Sequence, residues 1–150
     1  MTTARLAVLI PVLLASAGCG GQASLPKLTP VEGVVTLGGQ PLPHALITFN
    51  PTQSGLPANS AGAAVTDEKG RFTLTTAGKP GAVPGEHVIT VVEGPPPEDA
   101  RGEDAQARLT QFNAGLKNRP IPPKYGAVNK SDYKVTVKAD QKDYTIDLSR

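Results

Sequence analysis

Tyr133-Lys134-Val135-Thr136-Val137-Lys138 and Tyr144-Thr145-Ile146-Asp147-Leu148-Ser149 are two runs of strict alternation, separated by the polar residues 139–143. Successive side chains of a strand point to opposite faces. Tyr133, Val135 and Val137 therefore share one side of the first run, and Tyr144, Ile146 and Leu148 one side of the second. Lysine, threonine, aspartate and serine occupy the other sides. A dry face and a wet face on each run describe strands that cover a core on one side only.

The same period recurs toward the N-terminus. Val31, Gly33, Val35 and Leu37 alternate with Glu32, Val34 and Thr36, and Gly38-Gly39 supplies the positive φ of a tight hairpin. Ala45, Ile47 and Phe49 alternate with Leu46, Thr48 and Asn50, and residues 51–59 form a broken polar loop. Residues 62–66 read as a strand of small side chains. Asp67-Glu68-Lys69-Gly70 has the pattern of a type I turn closed by a left-handed glycine, before a strand carrying Phe72, Leu74 and Thr76. Residues 77–85 read as a loop in which Pro84-Gly85 closes a type II turn. Val88, Thr90 and Val92 then alternate with His87, Ile89 and Val91, apolar on both faces and so central in a sheet. About seven short strands predict an all-β, antiparallel, immunoglobulin-like sandwich. Its expected core is Val35, Ile47, Phe49, Phe72, Leu74, Val88, Val135, Val137, Tyr144, Ile146 and Leu148.

Composition sets the outer limits. The chain has 150 residues, a formal charge of +2, one Cys, two His, 16 Gly and 15 Pro. That length suits one domain. One thiol cannot build a disulfide framework or a Cys-based zinc centre. Two histidines without clustered cysteines argue against a transition-metal enzyme, and no cofactor is expected. The basic residues are spread along the chain, which argues against nucleic acid as a partner.

Residues 1–18 read as an export signal: Arg5, an apolar run over 6–14 interrupted by Pro11, then small residues up to Cys19. The run is too short for a membrane span, which needs about 20 apolar residues. Ala17-Gly18-Cys19 is similar to the bacterial lipobox, with Ser16 where Leu is preferred. Cys19 would then be the first residue of the mature chain and carry a lipid. Ala15-Ser16-Ala17 offers the competing cut, releasing a soluble periplasmic or secreted protein. A lone cysteine at this position favours lipidation, because a free thiol is a liability in an oxidising compartment. Residues 19–30 read as a tether, and the domain is expected over 31–150.

One stretch breaks the pattern. After Pro95-Pro96-Pro97, residues 98–118 lose the alternation. Ala105, Leu109, Phe112 and Leu116 recur at helical spacing, which predicts an inserted helix over 103–117. Glu98, Asp99, Glu103 and Asp104 crowd its start and Lys117 its end, in the sense the helix dipole favours.

The order of these motifs resembles a family. Val31-Glu32-Gly33-Val34-Val35-Thr36-Leu37-Gly38-Gly39-Gln40-Pro41-Leu42-Pro43-His44-Ala45, then Ile47-Thr48-Phe49-Asn50-Pro51, Thr66-Asp67-Glu68-Lys69-Gly70-Arg71-Phe72-Thr73-Leu74 and Pro84-Gly85-Glu86-His87-Val88-Ile89-Thr90-Val91 are similar to the carboxypeptidase regulatory-like domain, a transthyretin-like β-sandwich. The chain looks especially like bacterial lipoproteins that carry this domain alone, which also show a stretch like Ile121-Pro122-Pro123-Lys124-Tyr125-Gly126 before two closing strands. The resemblance spans 31–94 and 119–150 and implies a non-catalytic accessory or interaction module.

Nothing local argues for catalysis. Neither His44 nor His87 has an obvious local partner within hydrogen-bond reach, and both read as surface or strand-edge residues. Asp67 and Glu68 are too few oxygens for calcium and read as turn residues. No Gly-x-Ser-x-Gly elbow occurs. Candidate binding residues are Tyr125, whose ring could stack on a sugar, and Leu109, Phe112 and Leu116 on the helix face. Tyr125 reads more readily as packing, and the helix face as packing on its own sandwich. The sequence thus points to a non-catalytic lipoprotein of the cell envelope, contacting the membrane through its lipid and an envelope protein or glycan through its loops. The alternative is a small secreted hydrolase or small-ligand binder.

Overall fold

Strand β1 (Glu32–Leu37) is bonded along both edges, and the smaller of two sheets grows from it. The computed structural model describes residues 24–150 apart from 101 and 103. The expected signal over 1–18 and Cys19 lie outside the described residues. The remaining elements, in chain order, are β2 (Gln40–Pro41), β3 (Ala45–Pro51), β4 (Gly62–Val65), β5 (Arg71–Thr73), β6 (Thr75–Thr76), β7 (Lys79–Pro80), β8 (Gly85–Glu93), α1 (Ala105–Gly115), β9 (Lys134–Val137) and β10 (Asp143–Leu148). Only β2, β6 and β7 have two residues, so the seven longer strands correspond to those read from the sequence.

The small sheet pairs β10 with one edge of β1, while β2 and β5 share the other. The large sheet runs β7-β6-β4-β3-β8-β9. Phe49, from the large sheet, meets Phe72 and Tyr144 of the small sheet at ring-centroid distances of 6.0 and 6.4 Å. The expected core is buried except for Val135, which is half-buried against it. Val88 is buried on the outer face of β8 and does not belong to the central cluster. The protein is thus mostly β, with two packed sheets and one α-helix among the described residues.

Four features differ from the sequence reading. First, β1 and β10 run parallel, with Gly33 opposite Tyr144 and Leu37 opposite Leu148. The antiparallel expectation fails here because 139–142 is not a hairpin turn. It carries the chain from β9 in one sheet to β10 in the other, so no tight turn dictates the direction of β10. Second, the run through Phe72, Leu74 and Thr76 is not one strand. The chain changes sheets at Leu74, whose N–H donates to Val31 O at 2.9 Å and whose carbonyl accepts Gly81 N–H at 2.8 Å. Third, the 77–85 loop contains a hairpin. Ala77 and Gly78 have φ of 49° and 76°, turning β6 into β7. Fourth, the fold begins before 31: Thr29 and Ala82 exchange two backbone bonds of 2.9 Å.

Two of the predicted tight turns form. Gly38 and Gly39 take φ of 60° and 76° between Leu37 and its partner Gln40, as a primed two-residue hairpin requires. Gly70 takes φ 74° after the Asp67 turn, where a Cβ would meet Val35 O at 2.5 Å.

Between β9 and β10 the two sheets have no common ladder, and all three tyrosines of the chain bond across this seam. Lys138 N–H donates to Tyr144 Oη at 3.1 Å, Asp147 N–H to Tyr133 Oη at 3.1 Å, and Ser149 N–H to Tyr125 Oη at 3.0 Å. Tyr144 Oη in turn donates to Gln141 O. Each hydroxyl satisfies an edge amide that the ladder leaves over.

Phe72 is 4% exposed and packs on Phe49. Truncating a buried phenylalanine costs about 3–5 kcal/mol, a large part of the ~5–15 kcal/mol of an ordinary domain. Phe72→Ala is expected to lower the melting temperature sharply in a thermal scan followed by circular dichroism. An unchanged transition would contradict this core.

Candidate functional site

The excursion between β8 and β9 leaves and rejoins the sandwich at one place, the start of β3. His44 sits there in the left-handed region, φ 51°, which side chains seldom adopt. Its carbonyl accepts Gly94 N–H at 2.9 Å. Its Nε2–H donates to Pro95 O at 2.9 Å, fixing the departing chain. The returning chain is fixed by Arg119, whose side chain is 15% exposed. Arg119 Nε donates to Glu93 Oε2 at 2.8 Å, Nη2 to Pro43 O at 2.7 Å and Nη1 to Lys117 O at 3.0 Å. Asn118, φ 59°, directs its amide nitrogen at Leu37 O and Gln40 O, 3.0 and 2.9 Å away, and so grips the β1–β2 hairpin.

Helix α1 spans Ala105–Gly115, shorter at both ends than the expected 103–117, and Lys117 lies beyond it. Asp104 occupies the N-cap position without a side-chain cap bond. The apolar face predicted from spacing is real: Ala105, Leu109, Phe112 and Leu116 are half-buried and most other side chains of the helix are exposed. None is fully buried. The ring of Phe112 stands edge-on to the His44 imidazole, 4.6 Å between centroids and 79° between planes.

Beneath the helix is an open cleft of about 690 Å³, lined by His44, Thr66, Glu68, Phe112, Leu116 and Lys117 among others. Of the four candidate binding residues, Phe112 and Leu116 line it, and Leu109 lies one turn away on the same helix face. Tyr125 does not join them. It is 3% exposed, and its hydroxyl bonds to Ser149. Its ring is packed in the core, so the packing reading holds and stacking on a sugar does not.

The polar groups near the cleft are largely committed to structure. Thr66 Oγ1 donates to Leu42 O at 2.7 Å and accepts Ala45 N–H at 2.8 Å. Asp67 Oδ1 accepts the N–H groups of Lys69 and Arg71, and Oδ2 accepts Arg71 Nε at 3.0 Å. These bonds, the Arg71 backbone bond foremost, hold the Asp67 carboxyl below its ordinary value. No ion pair among the described residues joins either histidine to a carboxylate.

His87 departs from its expected surface position. It points inward beside the Phe49 ring, 5.7 Å away, and is fully buried. Its Nε2–H donates to Val83 O at 2.7 Å and its Nδ1 has no partner. The cause is the phase of β8: positions 87, 89 and 91 face the core.

A larger depression, about 830 Å³, lies over the outer face of the small sheet, lined by Glu32, Val34, Arg71, Thr73, Asp143 and Thr145 among others. Of its charged residues, Arg71 pairs with Asp67 at 3.0 Å, and Glu32 pairs with the neighbouring Lys142 at 3.0 Å.

Sequence reasoning passed over Asn118 and Arg119. Asn118 carried one readable sign, since asparagine is enriched in left-handed positions. Arg119 carried none, because its partners, the Glu93 carboxylate and the carbonyls of Pro43 and Lys117, are brought together only by the fold. Comparison with protein-family models, with curated proteins and with solved structures finds no match to this chain.

The Asp67 turn makes a prediction with a definite sign. A carboxyl whose folded value is depressed contributes stability above its unfolded value, here near 3.8, and loses that contribution as pH falls through the folded value. Asp67→Asn is expected to lower the urea midpoint at pH 7, and the gap to the parent chain should narrow below about pH 4. A gap independent of pH would show that the charge of Asp67 is not involved.

Proposed function

We propose that the protein is a non-catalytic lipoprotein of the bacterial cell envelope, a carboxypeptidase regulatory-like, transthyretin-like sandwich that presents the 94–119 excursion to an envelope protein or glycan. The observation that carries the reading is the way the excursion is attached. It is fastened at both ends to one pole of the sandwich, through His44 and Arg119, yet α1 buries no side chain fully. Long excursions in compact domains are uncommon and often functional. A rigid scaffold with binding on its loops is the usual division of labour.

Geometry supports the same reading. The chain joins the sandwich at Thr29, beside the Glu32 end of β1, whereas Asn118 and Arg119 hold the excursion at the Leu37 end. Six residues of strand separate these poles by about 20 Å. A lipid on Cys19 would therefore anchor one pole and leave the other facing outward. Among the described residues neither histidine pairs with a carboxylate, and Thr66 and Asp67 are committed to structure, which favours binding over hydrolysis, a reaction that needs a base within reach of a proton.

Two measurements test the proposal. The intact mass of the mature protein should correspond to a chain starting at Cys19 plus lipid; a lipid-free chain starting at Gly18 would support the competing cut. Replacing 98–117 by a short Gly/Ser linker, with Asn118 and Arg119 kept, should leave the melting transition nearly unchanged and abolish capture of the envelope partner. Retained capture would place the contact elsewhere. Aggregation of the folded sandwich would make the excursion a cover for it.

A further inference from the structure

We infer that α1 is a proteolytic processing site, at which a protease specific for basic residues cuts the chain while the sandwich stays assembled as two fragments. Cleavage requires a stretch of chain to be drawn out into the protease cleft, so the susceptible bond lies where local opening is least costly. Helix α1 meets that condition on several independent counts. It has 11 residues, and an isolated helix shorter than about 12–15 residues is marginal in water. Its N-cap, Asp104, makes no side-chain capping bond, its first turn holds no acid and its last turn no base. It buries no side chain fully, and Phe112 against His44 is its ring contact with the sandwich. Arg108 is exposed within it. The susceptible bond is Arg108–Leu109. Water adds across it, leaving a carboxylate on Arg108 and an ammonium on Leu109.

The fold equally determines the fate of the two fragments. The C-terminal fragment carries β9 and β10. Strand β9 pairs with β8 from Lys134 to Val137, and β10 pairs with β1 over all six of its residues. Tyr125, Val137, Tyr144, Ile146 and Leu148 of that fragment are core residues. Arg119 remains bonded to Glu93 and Pro43, and Asn118 to the β1–β2 hairpin. None of these contacts passes through α1. The cut severs the covalent link of the excursion and leaves its anchors in place, so the helix is lost and the sandwich is kept. This outcome does not depend on what the excursion binds.

The test is limited trypsin digestion of the full mature protein, followed by intact mass and size-exclusion chromatography with and without urea. The first cut should fall after Arg108, giving fragments that elute together at the size of the intact protein and separate in urea. Arg108→Gln should suppress that product while circular dichroism shows the sandwich still folded. A first cut at Arg71, Lys79 or another residue of the sandwich would overturn the inference. So would fragments that separate or are degraded without urea.

Discussion

The parallel pairing of β1 with β10 brings the first and last strands of the described chain side by side, and the small sheet depends on it. Without β10, β1 would keep only the two short antiparallel partners β2 and β5 on its other edge. The pairing rests on a close approach at Gly33. A Cβ there would lie 1.9 Å from Tyr144 O and 3.1 Å from the Phe72 ring. Only a residue without a side chain admits β10 on one edge and Phe72 over the same spot. With β10 seated, Ile146 and Leu148 face the core opposite Val35 and Leu37, and Tyr144 reaches the Phe49 ring of the other sheet.

Closure at the seam follows from that placement. β9 and β10 are edge strands of different sheets, and edges with unpaired amides are a liability. Here tyrosine hydroxyls take those amides one by one. An aromatic ring spans the gap between sheets with its apolar body in the core, and its hydroxyl reaches the edge. The same tyrosines therefore serve packing and backbone satisfaction. This explains why Tyr125, which the sequence already suggests as a packing residue, is buried.

Most of the fold was legible because its signals are local. Alternation placed seven strands, and the glycines at 38, 39 and 70 marked two turns. The step of Ala105, Leu109, Phe112 and Leu116 placed the helix. The illegible features depend on long-range partners. The direction of β10 is set by β1, more than a hundred residues away in the chain. The sheet change at Leu74 is set by Val31 and Gly81. His87 was misplaced because a histidine in an apolar strand carries no local mark of which face is inward. The site was half legible: Phe112 and Leu116 share one helix face, as their spacing suggested, whereas the anchors Asn118 and Arg119 act through backbone carbonyls and the Glu93 carboxylate, partners that no sequence pattern announces.

The molecule is a sandwich locked by β1, β10 and the tyrosine seam, carrying a weakly attached helix at one pole. Native-state hydrogen exchange, read residue by residue, tests this division most directly. The amides of Val35 and Ile146, and those of Lys138, Asp147 and Ser149 at the seam, should exchange only through global unfolding, and those of Leu109 to Phe112 through local opening at much lower free energy. Protection of the helix amides equal to that of β1 would contradict the account, because it would make α1 part of the cooperative core.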